Sequence, residues 1–214
     1  MSGMNEADAR RSVLAAARAA IAADINRGEA GNVSARCGEG FVITPTGMRY
    51  RDCTEQDMVP VTLDGASSGT RQPSSEWRFH RDIYRMRPEA GAVVHAHSPC
   101  ATTLACMDAE IPAFHYMVAR FGGVDVRCAR YATFGTQALS DAILDALAGR
   151  CGCLMSHHGM VVFGRDPDHA LDLAVELETL AEQYWRALQI GQPQLLDSHQ
   201  MDEVLARFEN YGRQ

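Results

Sequence analysis

The spacing of apolar and polar residues changes repeatedly along the chain between a helical and a strand-like period. Apolar residues at helical spacing predict helices at residues 8–27, 76–87, 99–107, 136–147 and 169–188. Short apolar runs bounded by glycine, proline or polar turns predict strands at residues 31–34, 40–47, 59–61, 91–97, 124–128, 153–155 and 160–163. The polar segment 64–73 is expected to be a surface connection. Strands interleaved with helices are typical of an α/β/α layered domain.

The composition is that of an ordinary globular protein and limits the classes of protein to which the chain can belong. The 214 residues, 46% of them hydrophobic, suffice for one compact core, so we expect a single domain over residues 1–214. The formal charge of −7 and the scattered cationic residues argue against a nucleic-acid surface. No apolar stretch approaches the length of a membrane span, and the N-terminus lacks the pattern of a signal peptide. We therefore expect a cytoplasmic protein whose seven cysteines are reduced thiols.

The sequence His95-Ala96-His97, at the end of an apolar run, predicts a metal site. Side chains two residues apart on a strand point to the same face, so His95 and His97 can bind one ion together. A second pair, His157-His158, follows later in the chain, and only one of these adjacent residues can join them unless the turn is distorted. Three histidines leave a coordination position open to substrate or water, which is typical of catalytic zinc sites. A strand that carries two histidines by chance is the alternative for the isolated motif.

Glu76 is expected in the first turn of a helix whose N-terminal cap is formed by Ser74 and Ser75. A carboxylate at that position interacts favourably with the helix dipole, which is a sufficient explanation if Glu76 is considered alone. If the start of the helix faces the histidines, Glu76 can instead be a metal ligand or a general base beside a bound substrate.

Three turn-like segments carry small hydroxyl, amide and glycine groups, at residues 31–34, 44–47 and 74–75. Their backbone N–H groups and side chains can bind a phosphate without lysine, and a helix N-terminus would add its dipole. Each segment alone is most often a simple turn, but the three together with a metal site favour phosphate binding.

Tyr116 lies in an irregular, polar-flanked stretch from which its hydroxyl can reach a site. The remaining histidines have no other histidine at a spacing that would let the two bind one metal ion. They are interpreted as structural or exposed, namely His80, His115, His169 and His199.

Several motifs, taken together, resemble the zinc-dependent class II aldolase and adducin-head family. These motifs are Gly31-Asn32-Val33-Ser34, Ile43-Thr44-Pro45-Thr46-Gly47, Ser74-Ser75-Glu76-Trp77-Arg78-Phe79-His80, Val93-Val94-His95-Ala96-His97, Ile111-Pro112-Ala113-Phe114-His115-Tyr116-Met117, Tyr131-Ala132-Thr133-Phe134-Gly135 and His157-His158-Gly159. The resemblance extends from about residue 10 to the C-terminal tail and implies a three-layer α/β/α fold with a central, mainly antiparallel sheet. It also implies a homotetramer around a fourfold axis, with each active site at a boundary between subunits.

The resemblance implies a role for each matching residue. His95, His97 and His158 match the family's ligands of one Zn²⁺ per subunit, with Mn²⁺ or Co²⁺ as alternatives. His157 matches the non-ligand position before the third ligand. Glu76 matches the carboxylate that coordinates the metal at rest and then acts as acid and base. The implied phosphate and substrate contacts are Gly31, Asn32, Thr46, Gly47, Ser74, Ser75, Phe134 and Tyr211.

The reaction implied by the resemblance is cleavage of a ketose 1-phosphate to dihydroxyacetone phosphate and an aldehyde. The expected substrate is L-fuculose 1-phosphate or a related 5-deoxy- or 5-methylthio-pentulose 1-phosphate. A divalent cation would stabilise the negative charge on the dihydroxyacetone phosphate half, and Glu76 would protonate its carbanion. Tyr116, which matches a tyrosine contributed by a neighbouring subunit, would exchange a proton with the C4 oxygen. Phe134 and Tyr211 match aromatic residues at the aldehyde end.

The resemblance is weaker at residues 1–10, 26–29 and 62–72, which leaves the aldehyde open. Members of the same family include pentulose-phosphate epimerases, methylthioribulose-phosphate dehydratases and sugar-acid phosphate decarboxylases, and these are the alternative reactions. A metal-free interaction domain like the adducin head is a further alternative, against which the three histidines argue.

Overall fold

A computed structural model describes residues 4–27 and 30–208, and its centre is one mixed β-sheet. The strands of this sheet are β1 (Asn32–Cys37), β2 (Gly40–Ile43), β3 (Val59–Thr62), β4 (Ala92–Ala96), β5 (Cys128–Ala129), β6 (Gly152–Met155) and β7 (Gly159–Gly164). They lie in the order β3-β2-β1-β4-β7-β6-β5, and every neighbouring pair is antiparallel except β5 and β6. The predicted mainly antiparallel sheet is therefore confirmed.

Helices cover both faces of the sheet. They are α1 (Glu6–Ala22), α2 (Trp77–Met86), α3 (Pro99–Ala105), α4 (Gln137–Ala146), α5 (Pro167–Ile190) and α6 (Ser198–Phe208). Helices α1, α3 and α5 share a core with Val94 of β4, while α2 and α4 share a second core with the adjacent Val93. Because alternate residues of a strand point to opposite faces, β4 contributes to both cores, which confirms the predicted α/β/α layers. Within the described residues, no helix combines the length and the apolar character needed to cross a lipid bilayer.

The observed elements differ from the predicted ones at some ends. The first helix stops at Ala22, earlier than predicted, because Asp24 adopts a left-handed conformation with a φ of 56° that a right-handed helix does not continue through. The predicted strand at 124–128 is wrong. Within that range Val126 makes only an isolated bridge to Ile111, and the two-residue β5 begins where the predicted strand was expected to end.

Helix α6 is an element that the predictions above omit. It packs against a 3₁₀ turn at Tyr116–Phe121, where Met201 is buried beside Ala119. Other apolar residues of α6, Val204 and Leu205, are only partly buried in this small cluster. The helical spacing of 201, 204 and 205 is a usable signal, but a single fully buried residue makes it a weak one.

The centre of the sheet brings distant chain segments together at one edge. Asn32, the first residue of β1, pairs with His95 near the end of β4. On its other side β4 pairs with β7, which follows directly on the turn that carries His158. The residues predicted to form the site therefore meet around the end of β4.

Candidate active site

Four side chains that could hold one cation converge at the end of β4, and their ligating atoms all lie within 4.8 Å of one another. His95 Nε2 lies 3.0 Å from His97 Nε2 and 3.1 Å from Oε2 of Glu76. The other carboxylate oxygen of Glu76 lies 3.2 Å from His158 Nε2. We call Glu76, His95, His97 and His158 the metal cluster. The structure thus brings together the four residues that the sequence motifs predict as ligands, and their role as ligands stays a prediction.

Contacts outside the cluster orient the ring of His95 and fix the backbone of His97. His95 Nδ1 lies 2.8 Å from the carbonyl oxygen of Met160 on β7, so Nδ1–H donates and Nε2 faces the cluster. The backbone N–H of His97 donates to Oδ1 of Asn26 at 3.3 Å, which fixes the chain just beyond β4. His95 Nε2 is therefore directed at the cluster, as a metal ligand requires.

A distorted turn between β6 and β7 brings His158 rather than His157 into the cluster. His157 has a φ of 53°, in the left-handed region that bulky residues seldom adopt. The backbone holds this conformation, because the N–H of His157 donates to the Ala105 carbonyl at 3.1 Å and that of His158 to Met155 at 2.9 Å. Strained residues of this kind concentrate at functional sites.

Burial and mutual interaction set the protonation states of the cluster. Burial raises the pKa of Glu76, but the neighbouring His95 and His158 lower it by more, so this carboxyl pKa falls below its usual range. Burial lowers the pKa of His97 to about 4, helped by repulsion from His95 and His158. At neutral pH the cluster thus contains an ionised carboxylate and a neutral His97, which are the forms that bind a cation.

The cluster fits a divalent cation. Oε1 of Glu76 is buried and makes no hydrogen bond within the described residues, although His158 Nε2 lies nearby. An unpaired buried carboxylate oxygen is costly, and a cation would compensate it. Ligand atoms of a tetrahedral zinc site with bonds of about 2.0–2.1 Å lie about 3.3 Å apart. The spacings of 3.0, 3.1 and 3.2 Å in the cluster are close to that value.

A cavity of about 390 Å³ is lined by the metal cluster together with the predicted phosphate-binding segments. Glu76, His97 and His158 are the cluster residues in its wall. The predicted phosphate and substrate contacts in the same wall are Gly31, Asn32, Thr46, Gly47, Ser74, Ser75 and Phe134. Loops that are far apart in the sequence therefore share one cavity with the candidate metal site.

The loop before β1 depends on glycine. Gly31 has a φ of 76°, and a Cβ atom there would lie 2.4 Å from Asn26 Oδ1 and 2.6 Å from the His95 carbonyl oxygen. The hydroxyl of Tyr50 donates to the carbonyl of Gly31 at 2.6 Å. Tyr50, which sequence reasoning missed, thus fixes a loop that must pass close to the metal cluster.

The position of Glu76 corrects the sequence prediction. Glu76 occupies the N-cap position of α2, with φ −99° and ψ 11°, rather than its first turn, and its side chain makes no capping bond. Its backbone N–H donates to Ser74 Oγ at 3.3 Å, and its carboxylate accepts from Asn32 Nδ2 at 3.0 Å. A favourable interaction with the helix dipole is therefore not the reason for this carboxylate, which is directed to Asn32 and the histidines.

Comparisons with known proteins agree with this geometry. Residues 11–185 match the family described as Class II Aldolase and Adducin N-terminal domain. The chain belongs to this family. A 5-methylthioribulose-1-phosphate/5-deoxyribulose-1-phosphate aldolase of Rhodospirillum rubrum is 51% identical to it over 95% of this chain and 92% of that protein. An L-fuculose phosphate aldolase of Escherichia coli is 43% identical over 88% of each chain.

A solved structure of the class II aldolase family has the same fold. The structure of an L-fuculose 1-phosphate aldolase superposes with a TM-score of 0.91 at 33% identity, covering 94% of this chain and 96% of that one. The predicted family, fold and enzyme class, an aldehyde-lyase, are thereby confirmed. The family and the metal cluster together indicate a divalent metal.

Of the three aromatic residues predicted to contact the substrate of this class II aldolase, only Phe134 is found in the wall of the cavity among the residues that the structure describes. Phe134 lines the cavity and is 66% exposed. Tyr116 is 50% exposed and lines a different cavity beside Arg120, so one chain alone does not bring it to the metal cluster. Tyr211 lies outside the described residues, and its predicted role stays a prediction.

Sequence reasoning did not place two further residues at or beside the cavity of this class II aldolase. Tyr131 lines the cavity beside Phe134 and is 65% exposed. His80, interpreted from sequence as structural or exposed, is fully buried and hydrogen-bonded to Asn32. The spacing of Glu76 and His80, four residues apart at the start of a predicted helix, places both on one face and is the signal that could have found it.

Proposed function

We propose that this protein cleaves a ketose 1-phosphate to dihydroxyacetone phosphate and an aldehyde, with one Zn²⁺ per chain that Mn²⁺ or Co²⁺ can replace. The observation that carries the proposal is the convergence of three imidazoles and the Glu76 carboxylate beside a cavity lined by three donor-rich loops. We infer that His95, His97 and His158 hold the cation, with Glu76 as a further ligand at rest. When bound, the cation supplies positive charge that stabilises the negative charge developing on the dihydroxyacetone phosphate half.

The amino-acid composition supports a metal-dependent reaction. The 20 residues counted as lysine or arginine are all arginine, so the sequence has no lysine. A Schiff base between a lysine amine and the substrate carbonyl is therefore unavailable to this chain. Stabilisation of a carbanion next to a ketone then falls to a bound cation and to the surrounding hydrogen-bond donors.

Glu76 is assigned the proton transfer at carbon C3 of the dihydroxyacetone phosphate half. Its side chain is buried, its depressed pKa keeps it ionised, and it accepts a hydrogen bond from Asn32. In the synthetic direction the ionised carboxylate removes the C3 proton. In the cleavage direction it takes up the one proton that the C4 hydroxyl releases and delivers it to the carbanion, so no net proton is consumed.

The remaining residues are assigned to the phosphate end of the substrate and to its C4 oxygen. Donors of Asn32 and of the loops that contain Thr46, Gly47 and Ser75 bind the phosphate and hold the reacting carbons beside the metal cluster. Tyr116 of a neighbouring chain exchanges a proton with the C4 oxygen. Its half-exposed side chain, which lies away from the metal cluster of its own chain, is available to such a neighbour.

We infer that the substrate is a 5-deoxy- or 5-methylthio-pentulose 1-phosphate in preference to L-fuculose 1-phosphate. The relative with 51% identity is named for the 5-methylthio and 5-deoxy sugars. Tyr131, Ala132 and Phe134 contribute apolar surface to the cavity, which suits a methyl or methylthio tail better than a hydroxylated one.

Release of dihydroxyacetone phosphate from a panel of ketose 1-phosphates tests this function. The panel contains the 1-phosphates of 5-methylthioribulose, 5-deoxyribulose and L-fuculose. We expect kcat/KM for either of the first two to exceed that for L-fuculose 1-phosphate by about tenfold or more, because one small substituent in an apolar pocket has an effect of this size. An epimerase would release nothing and a dehydratase no dihydroxyacetone phosphate, so either product pattern would overturn the proposal.

We further propose a cytoplasmic homotetramer with an active site at each subunit boundary, in which residues 1–214 form one domain. The two cores share a single sheet, and all seven cysteines are free thiols, as suits a reducing compartment. Co-expression of the inactive variants Glu76→Gln and Tyr116→Phe tests the shared site. Mixed tetramers regain activity if each site takes Tyr116 from a neighbour, and they stay inactive if one chain supplies both residues.

A further inference from the structure

We propose that His80 is a positioning residue that fixes the side-chain amide of Asn32 and, through that amide, the carboxylate of Glu76. The inference rests on the acid–base role proposed above for Glu76. His80 acts without contact to the substrate or to a metal, and its effect passes through two hydrogen bonds.

A chain of hydrogen bonds leads from the metal cluster into the core below α2. Glu76 Oε2 accepts from Asn32 Nδ2 at 3.0 Å, and Asn32 Oδ1 is hydrogen-bonded to His80 Nε2. On the far side of the ring, His80 Nδ1 lies 2.7 Å from Ser34 Oγ, which lies 2.8 Å from the hydroxyl of Tyr84. All five side chains are buried, so bulk water does not compete for these bonds.

Only one arrangement of protons satisfies the cluster side of this chain. An ionised carboxylate only accepts, so Asn32 directs its NH₂ group to Glu76 and its oxygen to His80. His80 Nε2 must then donate to that oxygen. Burial, helped by repulsion from His95, lowers the pKa of His80 to about 3, so the ring is neutral and its Nδ1 accepts from Ser34.

Tyr84 completes the chain at the far end. Burial raises the pKa of Tyr84 by more than its bond to Ser34 lowers it, so the phenol keeps its proton. Tyr84 therefore donates to Ser34 Oγ, and the Ser34 hydroxyl donates to His80. Each of the four hydrogen bonds in the chain then has one donor and one acceptor, and all four run in the same direction toward Glu76.

The direction of the hydrogen bonds fixes the orientation of the Asn32 amide relative to the carboxylate of Glu76. If the Asn32 amide flipped, its oxygen would face the carboxylate of Glu76 and its NH₂ group would face the N–H of His80, and both contacts would be repulsive. His80 therefore keeps an N–H of Asn32 directed at Glu76. The carboxylate retains one orientation while it exchanges a proton with the substrate.

Two substitutions distinguish this role from a merely structural one. His80→Leu removes both ring nitrogens and lets the Asn32 amide flip, whereas His80→Gln keeps a donor for Asn32 and an acceptor for Ser34. We expect kcat for dihydroxyacetone phosphate release by the His80→Leu holoenzyme to fall about 10–100-fold with little change in KM. We expect His80→Gln to recover most of this loss.

Ile83→Val is the matched control, because Ile83 is buried on the same helix but takes no part in the hydrogen-bond chain. It should lower the unfolding temperature without changing kcat. Wild-type kcat in the folded His80→Leu variant would overturn the proposal. Equal losses in the Leu and Gln variants, or a loss confined to KM, would overturn it as well.

The tautomer of His80 gives a readout that does not depend on catalysis. Long-range proton–nitrogen NMR correlations of the zinc-loaded full-length chain, labelled at histidine nitrogen, should show His80 as a neutral ring protonated at Nε2. The His80→Gln spectrum identifies the signal. An Nδ1–H tautomer or a doubly protonated ring would overturn the proposal even if His80→Leu does not fold. If the wild type releases no dihydroxyacetone phosphate from the panel, the proposed function fails, while this spectrum still decides whether the hydrogen-bond chain exists.

Discussion

Two parts of the cavity wall are built in different ways. At the metal cluster, here called the buried end, Glu76 and His95 are 7% and 0% exposed, and hydrogen bonds hold both side chains. In the exposed part, here called the mouth and formed by Tyr131, Ala132 and Phe134, the two aromatic residues are 65% and 66% exposed. The mouth lies on the loop between β5 and α4.

This difference separates the groups that the reaction requires, at the metal cluster, from the groups at the mouth that suit one substrate or another. Groups that bind a cation or transfer a proton must keep their geometry within fractions of an ångström, and buried, hydrogen-bonded positions provide that. A loop with exposed aromatic residues can change with little effect on the sheet. Relatives of this chain are named for different sugar phosphates, which is what a constant metal cluster and a variable mouth would produce.

The largest expected effect of a substitution is at the buried end. Glu76→Gln should lower kcat for cleavage by about 10²–10⁴-fold, because the amide cannot take up a proton and deliver it to the carbanion at C3. The cation should stay bound, since three imidazoles remain. Assays of dihydroxyacetone phosphate release and of metal content check both statements. Glu89→Gln, which alters an exposed pair with Arg87, is the control and should behave as wild type. Full turnover in Glu76→Gln would remove this residue from the mechanism.

The next effect tests the role of Tyr116, which lies outside the cavity of its own chain. Tyr116→Phe should lower kcat by about 10²-fold, because the ring is kept and only the hydroxyl that exchanges a proton with the C4 oxygen is lost. Tyr131→Phe, the same change at the mouth, should leave kcat near the wild-type value. Steady-state kinetics of both variants decide the matter, and equal activities would contradict the role of Tyr116.

A smaller and more selective effect is expected at the mouth. Phe134→Ala should raise KM for 5-methylthioribulose 1-phosphate about tenfold, through the loss of about 1.5 kcal/mol of apolar contact. With 5-deoxyribulose 1-phosphate the increase should be smaller, because a methyl group buries less surface than a methylthio group. Measuring KM for both substrates checks this, and an equal increase for the two would mean that Phe134 does not contact the tail.

The smallest effect on activity is expected away from the cavity, at Asp82. This buried carboxylate accepts hydrogen bonds from Arg81, Gln137 and Ser140, each at 2.7 Å. Asp82→Asn should lower the free energy of unfolding by about 1–3 kcal/mol at neutral pH and leave kcat unchanged. Urea unfolding measures the loss, and Asp52→Asn, at an exposed carboxylate, should show none.

The pH dependence of stability follows from the same carboxylate. Burial raises the pKa of Asp82, but its bonds from Arg81, Gln137 and Ser140 lower it by more, to below the ordinary value of 3.8. The folded-state pKa is thus below the unfolded one, so Asp82 contributes stability above the unfolded pKa and loses it as pH falls through the folded pKa. Acid titrations of unfolding should show this loss in wild type and a flatter curve in Asp82→Asn. Identical curves would contradict the assignment.

Much of the metal cluster could be predicted from sequence because its geometry is local. Two histidines one residue apart on a strand share a face whatever the rest of the fold does, so His95 and His97 follow from spacing alone. Spacing does not distinguish His157 from His158. Only the family resemblance anticipated that His158 is the one of the pair that joins the cluster. In the structure this choice depends on the left-handed φ of His157, which backbone hydrogen bonds of the turn hold in place.

The contacts that support the cluster could not be predicted in this way. The bond between Asn32 and His80 depends on how α2 packs against β1, and the N-cap position of Glu76 depends on where the helix begins. The layered fold followed from interleaved periodicities, whereas α6 buries a single residue fully and gave a weak pattern. Residues that meet through tertiary packing leave little trace in local spacing.

The most direct test of the account is whether dihydroxyacetone phosphate release depends on one divalent cation. Wild-type protein freed of metal by a chelator should lose release from its best substrate and regain it with Zn²⁺, Mn²⁺ or Co²⁺ at one ion per chain. Undiminished release by the metal-free protein would contradict the assignment of His95, His97 and His158 to a common cation.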